Sequence, residues 1–211
     1  MNPIQPFLIF ACSILVLAGC RENQTDPDEI KAGKPRKQQF VIKVLPLGPV
    51  DKGSIEAAVS ALEKYAGPVT LLKPQELPSH SFYAPRNRYR ADKLIKWMDA
   101  KAERGEVYVG LTSSDISTTK DNIEDFGVIG LGYRPGRACV ISSFRLKNKA
   151  NFYKVVLHEV AHAAGLPHCP EKSCFLRDAK GGDPTGEETG FCSKCEKFLQ
   201  SKGWVFELKQ G

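Results

Sequence analysis

A mixed α/β fold is predicted for this sequence, because apolar runs with strand character alternate with segments whose apolar residues recur at helical spacing. The chain has 211 residues, of which 42% are hydrophobic, so it can bury a proper core within one domain. The predicted order is strand, helix, strand, helix, several strands and then further helices. That order indicates a mixed, twisted sheet with helices packed on it.

Each predicted element follows from local sequence features. The predicted strands cover residues 40–45, 69–72, 107–111, 126–131 and 138–142, and a proline-dotted loop covers residues 74–85. Four helices are predicted. The first carries Ile55, Val59 and Leu62 at helical spacing and ends at Gly67, and the second covers residues 91–104. The third is capped by Asn151 and runs to Ala164, and the fourth begins near Cys195.

The first 39 residues differ in character from the rest. Residues 7–18 are apolar and uncharged, too short to span a bilayer comfortably, and are followed by Gly19 and Cys20. Residues 17–20, LAGC, resemble a bacterial lipobox, in which small residues precede a cysteine that is lipidated. We therefore expect a lipoprotein-type signal peptide at residues 1–19, a flexible polar tether at 20–39 and the folded domain at 40–211.

A lipidated Cys20 would make this an exported, membrane-anchored bacterial lipoprotein, on the periplasmic or the cell-surface face. The alternative is a short uncleaved membrane anchor. In both cases the folded domain is expected to be exported and tethered at a membrane surface.

One stretch, HEVAHAAGLPH at residues 158–168, has the pattern of a catalytic metal site. Residues four apart share a helix face, so His158 and His162 can point at one ion. Gly165 permits a sharp turn out of the helix, after which His168 can return as a third ligand. Three protein ligands and one open position are typical of catalytic zinc. The fourth histidine of the chain, His80, lies in the proline-rich loop and is expected to be an ordinary surface residue.

Glu159, beside the first of these histidines, can reach a water molecule on the metal. Zinc lowers the pKa of bound water to about 7 and polarises a carbonyl group. Glu159 is therefore predicted to take a proton as general base and to pass it to the leaving amine of a peptide or protein substrate. The alternative is a non-catalytic zinc-binding lipoprotein that holds a partner or a peptide on the same scaffold; the intact Glu159 favours the enzyme.

A cysteine cluster follows the histidines. Its two pairs are separated by a loop rich in glycine and aspartate, an arrangement that indicates a tetrahedral structural zinc site, and the cluster consists of Cys169, Cys174, Cys192 and Cys195. Two disulfides are the competing interpretation, because an exported protein meets an oxidising compartment. Cys139, in an apolar strand, is expected to be a buried free thiol.

The pattern HExxHxxGxxHC, with a second cysteine five residues later and then a CxxC pair, resembles the archaemetzincin family of zinc metallopeptidases. Residues 44–48, 86–91 and 110–112 are similar to the family as well, so the resemblance covers roughly residues 40–203. It implies a zincin-like metalloprotease fold with a zinc-stapled C-terminal segment. It also implies two zinc ions per chain, one catalytic on the three histidines and one structural on the four cysteines, with Glu159 as general base.

The sequence departs from the family pattern at one position shortly after the second cysteine. Leu176 stands two residues after Cys174, where the family usually has a methionine. Leucine is close to methionine in volume, so we expect the apolar floor beneath the zinc to persist.

The net charge of +6 is spread along the chain and is expected to serve solvation. Residues 86–90, RNRYR, interleave basic and aromatic side chains, which can suggest nucleic-acid contact. Because export argues against a nucleic-acid partner, we expect a solvated edge or a wall of the substrate groove. A zinc-ribbon nucleic-acid binder would need a cytoplasmic location.

Overall fold

The computed structural model describes residues 40–206, and in them the predicted mixed α/β fold is confirmed. The predicted signal and tether, with Cys20, lie outside the described residues. The strands are β1 (Val41–Pro46), β2 (Val69–Leu71), β3 (Phe82–Tyr83), β4 (Arg88–Arg90), β5 (Glu106–Thr112), β6 (Ile116–Lys120), β7 (Ile123–Val128), β8 (Gly130–Gly132) and β9 (Ala138–Ser142). The helices are α1 (Lys52–Tyr65), α2 (Ala91–Asp99), α3 (Phe152–Ala163) and α4 (Ser193–Ser201).

Two mixed sheets organise these strands. The main sheet has the order β2-β1-β5-β9-β8, in which β8 alone runs antiparallel to its neighbour. The small sheet has the order β3-β4-β6-β7, with β4 and β6 parallel and the outer strands antiparallel. No helix between residues 40 and 206 has both the length and the apolar character that a membrane span requires.

Helices cover both faces of the main sheet. On one face Val44, Val109 and Ile141 pack in a cluster with residues of α1 and α3. On the other face Leu45 and Val140 pack with residues of α2. Alternate residues of a strand point to opposite faces, so each central strand contributes to both clusters. This packing fixes α3 against the sheet beside its edge strand β8, which is where the site lies.

Helix α1 begins after Asp51, whose side chain accepts a hydrogen bond from the Ser54 backbone N–H at 2.8 Å and so caps the helix. Helix α2 is shorter than predicted and ends at Asp99 rather than near residue 104. The Arg137 guanidinium donates to the carbonyl oxygens of Asp99 and Ala102. A cation there satisfies carbonyl groups that a longer helix would have used.

The small sheet was only partly predicted. Residues 126–131 were expected to form one strand, but β7 and β8 divide that segment between the two sheets. Strands β4 and β6 were not predicted at all. They are rich in arginine, serine and threonine, and lack the apolar run or alternation by which a buried strand is recognised.

The expectation of a solvated edge or groove wall at residues 86–90 is wrong for Arg88 and Arg90. Their side chains are only 14% and 9% exposed, and neither borders the cavity described below. Arg88 Nη1 lies 3.0 Å from Asp125 Oδ2, and Arg90 donates to the Thr119 hydroxyl. Buried arginines require such partners because an unpaired buried charge is costly.

Candidate metal centres and the adjoining cavity

Helix α3 places two histidines on one face and then ends sharply. The Gly165 N–H donates to the His162 carbonyl, and the Leu166 N–H donates to the Ala161 carbonyl. These two bonds form a Schellman motif, which requires positive φ at its glycine; Gly165 has φ +109°. The predicted helix end at Gly165 is confirmed, and the turn directs the chain back towards the helix face.

The turn brings the three predicted histidines together. Possible ligand atoms of His158, His162 and His168 all lie within 4.8 Å of one another, an arrangement that could hold a metal ion. The Nε2 atoms of His158 and His162 are 2.9 Å apart. His80, in contrast, is exposed, as expected.

The other nitrogen of each ring faces a hydrogen-bond acceptor. Nδ1 of His158 lies 2.6 Å from the Phe175 carbonyl oxygen, and Nδ1 of His162 lies 2.6 Å from that of Leu166. Nδ1 of His168 faces Asp178 Oδ2 at 4.0 Å. Such outer partners fix a histidine's tautomer and leave Nε2 free to bind a metal.

Burial favours the neutral form of the imidazoles. It lowers the pKa of His158 to about 3, with a smaller contribution from His162, and burial also lowers the pKa of His162. A metal ligand must be neutral imidazole, so both rings are in the binding form at neutral pH.

The Glu159 side chain lies beside this cluster and packs against the backbone of β8. It is nearly fully buried, and a Cβ atom on Gly130 of β8 would come within 2.5 Å of Glu159 Oε1. Only glycine at that position leaves room for the carboxyl group. Burial raises the pKa of Glu159 to about 8, and a divalent cation nearby would favour its ionised form.

A cavity of about 710 Å³ adjoins the histidines and Glu159. This volume is in the usual range for binding sites. Strands β6, β7 and β8 form one wall, and the segment of residues 177–188 forms much of the other. The histidine cluster and Glu159 therefore open onto a space that can accept a ligand.

The four predicted cysteines form a second cluster. Their sulfur atoms lie within 4.8 Å of one another, and Sγ of Cys169 and Cys192 are 3.7 Å apart. Four thiolates about 2.3 Å from one zinc would be separated by about 3.8 Å. The thiols are free, so the cluster fits a single tetrahedral ion. Cys139 is also free and fully buried, as predicted.

The cysteine cluster is built into the core rather than onto the cavity. Cys174 and Cys195 are buried, and Cys174 Sγ accepts a hydrogen bond from the Cys192 N–H at 3.4 Å. Burial raises the pKa of both thiols, that of Cys174 to about 11. Buried thiols of this kind are deprotonated only by a cation at the cluster.

Sequence reasoning missed three residues of the site, namely Gly130, Asp178 and Glu188. Asp178 and Glu188 lie in a loop that has no helical or strand period, so nothing in the local sequence places them beside the histidines. Asn151 is at the predicted helix start, but its side chain donates to the Thr185 hydroxyl instead of capping α3.

Comparisons with known proteins connect this site to one family. No family model matches the chain. The archaemetzincin of Haloquadratum walsbyi is 26% identical over 177 residues, which cover 76% of this chain and 99% of that protein. The archaemetzincin of Methanopyrus kandleri is 28% identical over 147 residues, which cover 66% of this chain and 82% of that protein.

Solved structures show the same fold. The crystal structure of the Methanopyrus kandleri archaemetzincin superposes with a TM-score of 0.67 at 24% identity and covers 80% of this chain and 97% of that one. A zinc-dependent peptidase from Methanocorpusculum labreanum gives a TM-score of 0.59 at 22% identity, covering 75% and 99%. The chain is thus similar in sequence to archaemetzincins over most of its length and has the fold of the archaemetzincin structures.

Proposed function

We propose that this chain is a zinc-dependent metallopeptidase that hydrolyses peptide bonds. The observation that carries the proposal is the convergence of three histidines and one buried glutamate at the side of a large cavity. Homologues named archaemetzincin and zinc-dependent peptidase support a zinc metallopeptidase.

The three histidines fit a zinc ion in number and in chemistry. His158 and His162 are neutral at neutral pH, and backbone carbonyls occupy their Nδ1 atoms. His168 completes the set from beyond the helix. When bound, zinc lowers the pKa of a water ligand and polarises the scissile carbonyl.

Glu159 is proposed as the general base. Its Oε atoms accept a proton from the attacking water and return it to the leaving amine. The rigid packing against Gly130 holds the carboxylate in one orientation, so little conformational freedom is lost during the reaction. Burial favours the protonated form of Glu159, and a zinc ion on the histidines would favour the carboxylate form that accepts the proton in the first step.

The cysteine cluster is proposed to hold a second, structural zinc. The support is the spacing of the four sulfurs, which suits tetrahedral thiolate ligation. Two disulfides are the alternative for an exported protein. The cluster has no open position towards the cavity, so its ion would stabilise the fold without taking part in hydrolysis.

Metal content and turnover test this function together. The full chain, purified without chelator, is expected to contain two zinc ions. The four clustered cysteines should resist thiol reagents until the metal is removed, and the buried Cys139 should resist them until the chain is unfolded. It should cleave peptides, lose this activity with a chelator and regain it with added zinc. One zinc with four oxidised cysteines would replace the structural ion by disulfides. Zinc at the histidines without any turnover would favour the non-catalytic binder.

Anchoring through Cys20 is a separate proposal, which rests on the apolar run and the LAGC sequence alone. Mass spectrometry of the N-terminal peptide from membranes should find acyl chains on Cys20. An unprocessed N-terminus in the membrane fraction would indicate the uncleaved anchor instead.

A further inference from the structure

Four acidic residues border the cavity, and three of them are already engaged. Glu159 is the proposed base. Asp178 faces His168 and accepts from the Lys180 N–H. Asp183 accepts from the backbone N–H groups of Lys147 and Thr185 and from the Thr185 hydroxyl. Asp178 and Asp183 therefore have partners within the protein, and Glu159 already has a proposed role in the reaction.

The fourth, Glu188, has no such partner. It is 3% exposed and lies in the cavity wall, and no described residue makes a hydrogen bond or ion pair with its carboxylate. The carboxylate oxygens of Glu188 are not fully enclosed by protein and keep contact with the cavity, so a ligand there can supply the interaction that the protein does not. The neighbouring Glu187 is different, because it is exposed and pairs with Arg177.

The backbone around Glu188 is held firmly. Lys154 Nζ donates to the carbonyl oxygens of Thr185 and Glu188 at 2.7 and 2.8 Å. The Asn151 side chain donates to the Thr185 hydroxyl. Because both donors lie at the start of α3, the loop that carries Glu188 is fastened to the same helix that carries His158. A carboxylate fixed in this way can select a ligand group without first being ordered.

Desolvation is the main influence on the Glu188 carboxyl group. Burial raises its pKa to about 7, although Lys154 and Arg177 act in the opposite direction. The nearby cations thus fall short of stabilising the charge, since Lys154 Nζ is bound to carbonyls and Arg177 to Glu187. An incoming cation would complete the ion pair.

We propose that Glu188 is a specificity residue that binds a positively charged group of the peptide substrate in the cavity beside the metal centre. This inference rests on the proposed peptidase function. The recognised chemistry is a primary ammonium group, which a lysine side chain or a free peptide N-terminus can supply. His158, Glu159 and His168 line the same cavity, so a peptide that reaches the metal centre can place another of its residues at Glu188.

Binding to a non-cleaving enzyme tests the subsite without depending on turnover. The zinc-loaded full chain with Glu159→Gln is titrated with acetylated, amidated hexapeptides in which one position at a time carries lysine or its uncharged analogue norleucine. At one position we expect the lysine peptide to bind about 10- to 100-fold more tightly, as hydrogen bonds to charged groups usually contribute. Adding Glu188→Gln should bring this ratio close to one.

Glu63→Gln is the control, since it removes the same charge from an exposed residue of α1 outside the cavity lining and should preserve the ratio. Glu188→Ala provides a second variant if Glu188→Gln does not fold. Comparison of acetylated and free N-termini identifies the source of the ammonium group: a Glu188-dependent preference for the free amine assigns it to the N-terminus. A ratio near one in every pair, a ratio unchanged by Glu188→Gln, or no binding of any peptide would overturn the proposal.

Turnover of these peptides by the chain with intact Glu159 is measured separately. A Glu188-dependent preference in binding without hydrolysis would refute the peptidase function and retain the subsite. Hydrolysis without a Glu188-dependent binding preference would support the peptidase function and overturn the subsite.

Discussion

The histidine cluster and the cysteine cluster are neighbours in sequence but are built in opposite ways. The histidines depend on one helix and its C-terminal turn, and they face an open cavity. The cysteines come from loop segments and the start of α4, and they pack among core residues such as Phe191 and Trp204. A cluster with an open side can change its ligands during a reaction, whereas a closed cluster can only hold its surroundings together.

The difference between the clusters predicts which measurable property each one controls. Damage to the cysteine cluster should reduce stability first, and damage to the histidine cluster should reduce activity first. Substitutions that separate the two properties therefore test this division.

The largest effect is expected from Cys195→Ser, which removes a buried ligand of the cysteine cluster. Structural zinc contributes about 10 kcal/mol in small metal-folded units, and 1 kcal/mol corresponds to about 2–4 °C at this chain length. We expect the melting temperature to fall by more than about 10 °C, with one metal ion lost. Calorimetry measures the melting temperature and metal analysis measures the number of bound ions. Cys139→Ala is the control and should keep two ions. Retention of two ions by Cys195→Ser would contradict a shared metal.

Glu159→Gln should affect activity alone. Loss of a general base lowers kcat/KM by about 10²- to 10⁴-fold. The zinc content and the melting temperature should stay close to those of the wild type, because the amide keeps the volume of the carboxyl group. Peptide hydrolysis with Glu187→Gln as control measures the effect. Unchanged cleavage by the Glu159→Gln variant would remove Glu159 from the mechanism.

Asp178→Asn should weaken metal binding without altering the fold. An outer carboxylate orients its histidine, and its loss usually costs about 10- to 100-fold in metal affinity. Zinc competition with a chromogenic chelator measures the affinity of the histidine site. Asp99→Asn, whose carboxylate pairs with Arg137 on the surface, should leave the affinity unchanged. Equal affinities for both variants would show that His168 needs no support from Asp178.

The smallest effect is expected from Leu176→Met, which introduces the residue that the archaemetzincin pattern usually has at this position. Leu176 is fully buried and its carbonyl accepts from the Cys169 N–H, so its backbone belongs to the cysteine cluster. A volume-conserving exchange should change the free energy of unfolding by less than about 1.5 kcal/mol. Urea denaturation tests this. A large gain in activity or zinc affinity would instead assign a specific role to the methionine sulfur.

Much of the site could be predicted from sequence because its spacing is local. His158, Glu159 and His162 share one helix, and Gly165 marks its end. Helical periodicity and the conformational freedom of glycine are therefore sufficient to predict that these residues meet. Strands β5 and β9 were predicted for a similar reason, since both are apolar runs in the buried sheet.

The rest of the molecule depends on contacts between distant segments. Arg90 belongs to a buried strand only because residues about thirty positions later, such as Thr119, receive its hydrogen bonds. Glu188 reaches the cavity only because Lys154 of α3 binds its backbone carbonyl. Neither feature has a local pattern, so strands β4 and β6 of the small sheet and the cavity wall that carries Glu188 were not predicted.

A single peptide bond separates His168 from Cys169, and this adjacency makes the two sites thermodynamically linked. An ion on the cysteines would fix the backbone that presents the third histidine, and an ion on the histidines would hold that same backbone from the other side. Linkage is reciprocal, so each ion should raise the affinity for the other by the same factor. Zinc loading of this chain is therefore expected to be cooperative, with few molecules that carry one ion at intermediate saturation.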